Sequence, residues 1–328
     1  MRYANGIRAD QMLDHFKFAK FTFVIEATEE ISLPIYKGAV FRGGFGYGFK
    51  RIVCVQHANK SCLECMLKNR CAYSYIFETP LPEDAKVLKL YKTVPHPFVI
   101  EPPLDNNRIV KKDTETAFNL ILIGKAIDYL PYFVITFSEL GKKGIGKNRS
   151  RFILKEVKSV NIDGQAQSIY NHEQMALKSS FSILNADSLG RMGNHNGNQQ
   201  IKLEFLTPCR IRFNEKITGK IEFHILIRSL LRRVSSLSIF HCEKELELDF
   251  KQLIEDSKSV VLSEDSLQWH DWERYSTRQK RKMSLGGAVG SITYQGDFKP
   301  FLQLLQLGEY LHVGKGTSFG LGRYVIVD

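Results

Sequence analysis

Four cysteines crowd into one short stretch of the chain, spaced Cys54-x7-Cys62-x2-Cys65-x5-Cys71. A C-x-x-C pair lets two thiolates meet one ion. Flanking cysteines can close a tetrahedral site with no position left for substrate, so the spacing predicts a structural metal. Zinc suits that donor set first and an iron–sulfur cluster second. His57 is an alternative to one of the thiolates. Cys209 and Cys242 stand alone. The N-terminus lacks the apolar run of a signal peptide, and no apolar stretch reaches membrane-spanning length. A cytoplasmic protein without membrane association is expected, and there crowded cysteines argue for metal over disulfides.

The second chemical feature is basic charge. The chain of 328 residues carries a formal net charge of +11 and a pI near 9.2, an excess that attracts polyanions. Arg228 and Arg232 lie four apart, on one helical face, with Arg233 adjacent. Lys142, Lys143, Lys147, Arg149 and Arg151 surround a glycine-bearing loop, and Arg274, Arg278, Lys280 and Arg281 form a third cluster. Any one of these is more often a solvated face. Three together, two beside glycine-containing segments, favour RNA. The run HVGKGTSFG holds G-K-G-T but not the full phosphate-loop pattern. It sits at the C-terminus with no helix to follow, so a nucleoside-triphosphate site is rejected.

The elements that must position these groups follow from periodicity. From Phe16, FKFAKFTFVIEATEE alternates as a strand. Pro34 and Gly38 mark a turn before a short helix over 39–53, interrupted in composition by Gly43, Gly44, Gly46 and Gly48. HPFVIEPPLDNN reads as an extended connection, TAFNLILIGKAIDYLPYFVI as strand and short helix, and SELGKKGIGKNRSRFILKEV as a basic loop entering a strand. The Gly/Asn-rich stretch 188–200 reads as a loop near a domain boundary. Beyond it come a strand interrupted at Pro208, helices over FHILIRSLLRRVSSLSIF and DFKQLIEDSKSVVL, two strands, the short helix PFLQLLQLGEYL, the glycine-rich loop and a last strand. That order suits an α+β unit with helices on one face of an antiparallel sheet. The two glycine-rich, lysine-bearing loops hint at duplication.

The run GEYLHVGKGTSFGLGRYVI resembles the glycine-rich signature of the RAMP superfamily of CRISPR-associated proteins. WERYSTRQKRKMSLGGAVGSITYQG resembles what precedes it in the repeat-processing endoribonuclease family (the "Cas six" group). LPIYKGAVFRGGFGYGFKRIVC, the cysteines and HPFVIEPP resemble the N-terminal half of its cysteine-bearing branch. The resemblance implies two tandem ferredoxin-like (RRM-like) domains, placed at 1–186 and 187–328, with a small metal-binding insertion (54–71) in the first. It implies cleavage within CRISPR repeat RNA by the substrate's own 2′-hydroxyl, with a structural zinc but no catalytic metal. The implied partners are repeat RNA and a CRISPR effector complex. The rival reading is a non-catalytic RNA-binding RAMP subunit of such a complex.

Many members carry a catalytic histidine at the start of the first helix; here SLPIYKGAVFRGG offers Tyr36, Lys37 and Arg42 instead. Tyr36 would orient the 2′-hydroxyl and Lys37 steady the transition state, with Arg42 on RNA. Transfer to a 2′-hydroxyl needs a base, an acid and a cation, and histidine is the best acid or base near neutral pH. Of nine histidines, His312 leads, because it opens the last glycine-rich loop near Lys315, where backbone amides can approach phosphate. His241, at a helix C-terminus, follows, and His270 is a further candidate. His15, His172, His195 and His224 have no supporting context, and His96, between two prolines, reads as a turn residue.

Overall fold

The structure is a computed structural model, and it describes residues 13–56, 61–80, 94–185, 189, 199–276 and 281–327. His57, His195, Arg278, Lys280 and most of the stretch 188–200 lie outside those residues. The chain falls into two compact units. One holds Phe18–Leu184 with Phe240–Cys242; the other holds the described residues up to Lys17, Asn185–Ile239 and the chain from Glu243 onward.

The first unit is built on β1 (Lys17–Ala27), α1 (Gly38–Val53), β3 (Phe98–Glu101), β5 (Glu115–Ile123), α2 (Leu130–Lys143) and β6 (Phe152–Val160). Short β2 (Ile31–Ser32) and β4 (Ile109–Val110) pair with each other. The main sheet is antiparallel in the order β3-β5-β1-β6, continued by β7 (Ala166–Asn171) and β8 (Ala176–Leu177), with β9 (Leu184–Asn185) against β1. Read as βαββαβ, this is the ferredoxin-like order, the fourth strand beside the first and the third beside the second. Alternation in β1 puts Ala19, Phe21, Phe23, Ile25 and Ala27 into one core. Phe41, Phe45 and Phe49 of α1 and Phe133 and Phe137 of α2 meet them there, the Phe45 and Phe133 rings stacked at 4.2 Å. Burying each such ring contributes roughly 1.5–3 kcal/mol. The glycines of α1 explain a helix that propensity disfavours: a Cβ at Gly44 would press on Leu140 of α2, and one at Gly48 on Thr136. Loss of side chains lets α1 approach α2.

The second unit repeats the plan with β10 (Gln200–Cys209), α3 (Phe223–His241), β13 (Val261–Asp265), β17 (Gly287–Gln295), α5 (Leu302–Leu311) and β18 (Tyr324–Val327) in the order β13-β17-β10-β18. The last two residues of α3 fall in the first unit. The hairpin β11 (Ile211–Phe213) and β12 (Lys216–Thr218), helix α4 (Phe250–Ser257), β14 (Gln268–His270) beside β17, and the hairpin β15 (Glu273–Ser276) and β16 (Arg281–Ser284) are added to it. Two readings of the sequence need amending. HPFVIEPP is no mere connection but contains the edge strand β3, and β10 runs through Pro208 to Cys209. Among the described residues no helix is long and apolar enough to cross a membrane.

Candidate nucleic-acid interface

The glycine-rich loop after α5 is stitched to the end of β10. Val313 N–H donates to Gly322 O, Gly322 N–H to Pro208 O, and Lys315 N–H to Arg210 O at 2.9 Å. Thr207 Oγ1 donates to Gly320 O and accepts from Arg323 N–H. Two glycines are obligatory. Gly314 (φ 84°) passes close to the Arg210 carbonyl, and a Cβ on Gly322 (φ 70°) would collide with the Val313 carbonyl oxygen. This stitching fixes where the exposed Lys315 stands. Burial lowers its pKa first, and then the positive charges of Arg212, Arg210 and Arg232 push it further down. Cations from the loop, from β10–β11 and from α3 thus converge on one place. Arg212 keeps a long 3.9 Å contact to Glu215. Arg210 donates to Ser284 O and Gly286 O, while its buried Nε has no hydrogen-bond partner among the described residues. Like charges held together despite mutual repulsion form a site that an anion would relieve.

The first unit carries a second basic face. Lys142 and Lys143 end α2, and Lys147 and Arg149 follow; all four side chains are exposed. Lys142 is held by Glu139 at 2.6 Å. Tyr47, on the exposed side of α1, accepts a 3.2 Å hydrogen bond from Arg51. That bond, the Arg51 charge and the charges of Lys143 and Arg149 draw its phenol pKa down. Tyr47 and Arg51 were not among the residues singled out from the sequence, although their four-residue spacing on a helix is a readable signal.

Residues 203–324 match the family model of the CRISPR-associated endoribonuclease Cas6, and residues 16–181, half of the chain, match the AF_1859_N model of an N-terminal domain. That C-terminal part of the chain carries the Cas6 family's domain. An uncharacterized protein of Archaeoglobus fulgidus is 25% identical over 301 residues, covering 90% of this chain and 92% of that one. Among solved structures, a Cas6 product complex superposes with a TM-score of 0.57 at 14% identity, over 94% of this chain and 100% of that one. Thermus thermophilus Cas6 gives 0.53 at 14% identity, over 95% and 99%. A partial Cas6-RT-Cas1–Cas2 complex gives 0.58 at 12% identity, over 95% of this chain but 46% of that chain. These likenesses show a shared fold.

The structure departs from the sequence expectations at several residues, each for a physical reason. His312 is wholly buried, caps α5 at φ 60°, and donates from Nδ1 to Leu321 O at 3.2 Å. It braces the loop instead of facing it. His241 is also wholly buried, its Nε2 2.9 Å from Pro95 O and its Nδ1 3.2 Å from Tyr75 Oη. Lys37, at the N-cap of α1, is buried and spends its ammonium on the Asp105 carbonyl and, at 3.4 Å, on the Asp105 carboxylate. Tyr36 beside it is half-buried. Arg42 turns inward over the Phe77 ring at 4.8 Å, with Nη2 3.3 Å from His96. Arg233 is buried and donates from Nε to Leu311 O at 2.8 Å, whereas Arg228 and Arg232 are exposed. Arg274 stands in β15; Arg278 lies outside the described residues.

The expected metal insertion is not shown. Among the described residues no three His, Cys, Asp or Glu side chains come together to hold an ion. Cys54 ends α1 and its N–H donates to Lys50 O, while Cys62 opens a short 3-10 turn and Cys65 and Cys71 flank the next one. Burial pushes the Cys62 thiol up, Lys50 pulls it down, and Glu78, Cys71 and Cys54 push it up further. Cys54, Cys62, Cys65 and Cys71 as they stand form no such group, and no metal enters the mechanism below.

Proposed function

We propose that the chain is a processing endoribonuclease for CRISPR repeat transcripts, cutting without a catalytic metal. The observation that carries it is the convergence of the Arg210, Arg212 and Arg232 charges on Lys315 of the glycine loop, inside the stretch that matches the Cas6 model. Arginine and lysine at a phosphate do by fixed charge what a divalent ion does elsewhere, and they repel such an ion. In the proposed step the 2′-oxygen bonds to the adjacent phosphorus while the P–O5′ bond breaks. The 2′ proton leaves to a base and a proton arrives on the 5′ oxygen. The products are a 2′,3′-cyclic phosphate and a 5′-hydroxyl.

With His312 and His241 inside, Lys315 takes the place of the acid. Its lowered pKa makes it a better proton donor than an ordinary lysine, and its neighbours Arg210, Arg212 and Arg232 steady the phosphorane. The buried state of both leading histidines and the Lys37–Asp105 pair favour one second reading, an RNA-binding subunit that does not cut. Labelled repeat RNA incubated with the protein in EDTA separates the two. The nuclease gives cyclic-phosphate and 5′-hydroxyl ends, loses all cutting when the nucleotide 5′ of the scissile bond is 2′-deoxy, and slows by about 10²–10⁴-fold with Lys315→Ala. Intact RNA that stays bound supports the binding subunit. Cutting of the 2′-deoxy substrate at the normal rate would sink the mechanism.

A further inference from the structure

Trp269 is absorbed by none of the chemistry above. It lies in β14, which pairs with the outer side of β17: Trp269 opposes Ala288, and His270 opposes Gly287. The residue is 46% exposed, uncommon for one of this size in a folded unit. The ring is nevertheless held. Nε1 donates to Asp271 Oδ1 at 2.8 Å. The turn after β12 brings Gly219 against the benzo ring, so that a Cβ there would stand 3.5 Å from Cε3 and 3.9 Å from Cζ3. A fixed ring with backbone against one part and water against the rest is a platform, not a core residue.

Its surroundings say what the platform would take. Ala288 of β17 also opposes Cys209, the residue before Arg210. The Trp269 backbone is therefore two strand spacings, about 10 Å, from the β10 end that leads into Arg210, on the sheet face of Ala288 and Cys209. The carbonyl of Gly286, to which Arg210 donates at 2.9 Å, belongs to the backbone that packs against His270 and Asp271. Of the acidic groups close by in the chain, Asp271 is spent on the indole, and Glu273 starts β15. An exposed, orientationally fixed aromatic ring one or two nucleotides from a phosphate site is the arrangement that reads single-stranded nucleic acid by stacking.

We propose that Trp269 is a stacking platform for an unpaired base of RNA whose backbone lies on the Lys315–Arg210–Arg212–Arg232 cluster. This rests on the nucleic-acid reading of that cluster and adds the residue that distinguishes unpaired from paired RNA. Stacking is sequence-tolerant, so the probe can be a single-stranded oligoadenylate of about ten nucleotides, in EDTA, compared with the same strand in an adenine–uracil duplex. Tryptophan emission should be quenched by the single strand and little changed by the duplex, and Trp269→Phe should lose most of the quenching while keeping most of the affinity. Trp269→Ala should weaken single-strand binding by roughly 5- to 100-fold with duplex binding unaltered. If the wild type binds the oligomer by gel shift with unaltered emission, and Trp269→Ala binds as well, the platform is refuted and the cation site stands. That would leave Trp269 as the contact of a protein partner. If the wild type binds no RNA by gel shift, platform and nucleic-acid reading fall together.

Discussion

Two adjacent arginines show how much a single side chain's direction decides. Arg232 is exposed and contributes to the field around Lys315. Arg233 is buried, its guanidinium pKa pushed down to about 9 by desolvation, with Nη2 lacking a hydrogen-bond partner among the described residues. A guanidinium still holds its proton at neutral pH, so Arg233 carries a buried charge as a cost and offers only its bond to Leu311 O in return. Arg232→Ala should weaken RNA binding at unchanged stability. Arg233→Ala should leave RNA binding alone and cost roughly 1–3 kcal/mol in urea unfolding, through the orphaned carbonyl. Arg233→Met, which refills the volume without charge, should be neutral or better. A second residue-scale outcome concerns acid. Ser238 Oγ gives its proton to Lys244 O, so His15 Nε2 donates to Ser238 Oγ at 2.7 Å. Burial, then Lys244, lowers the His15 pKa from its ordinary 6.5. The unfolded chain then takes up the proton first, and stability must fall as pH drops below about 6.5 toward the folded-state value. His15→Gln, which can keep the donor, should flatten that limb of stability against pH. An unaltered limb would assign it to another group.

At the scale of elements, the same residue type is expected to have opposite effects in two places. Gly43 lies on the exposed side of α1 with open space where its Cβ would be. Gly43→Ala should stabilise the first unit by about 0.5–1 kcal/mol by removing the entropy cost of helical glycine. Gly322→Ala meets both a left-handed backbone and the Val313 carbonyl. It should cost at least about 1–2 kcal/mol from conformation alone, and RNA binding should go with it, since the loop that seats Lys315 shifts; equal midpoints for the two variants in thermal unfolding would contradict this account. The elements themselves were largely legible. Alternation in β1 and the 3.6-residue period of α3 show directly in their apolar positions. Part of the error was legible too. Leu226, Leu230, Arg233, Leu237 and His241 fall on a single helical stripe, so both polar members were marked for the interior. The Lys37–Asp105 pair, 68 residues apart, leaves no periodic trace, nor does the positive φ that turns His312 inward. The cysteine spacing is a strong local signal, but spacing does not fix whether the intervening backbone brings four thiols to one point.

For the whole molecule the governing quantity is charge. The excess of +11 would drive non-specific attraction to any polyanion, and what makes it selective is where like charges are held together. Several exposed cations are already engaged: Arg151 with Glu29 at 2.6 Å, Lys155 with Glu26 and Glu115, Lys258 with Glu255 at 2.7 Å. Such surface pairs are worth little to stability, yet they remove cations from the pool that can displace counterions from RNA. Lys315 and Arg232 instead sit among like charges at the glycine loop, and Arg228 is exposed on the same helix as Arg232. The dependence of binding on salt counts phosphates neutralised, with a slope in log affinity against log salt of about −0.7 per contact on a single strand. Lys315→Ala with Arg232→Ala should therefore flatten the slope by about 1.4. Lys258→Ala, which removes the same kind of charge from a paired position on α4, should leave the slope as it is. If instead both variants flatten it in proportion to net charge lost, the cluster at the glycine loop has no special role and the molecule binds RNA by its overall field alone.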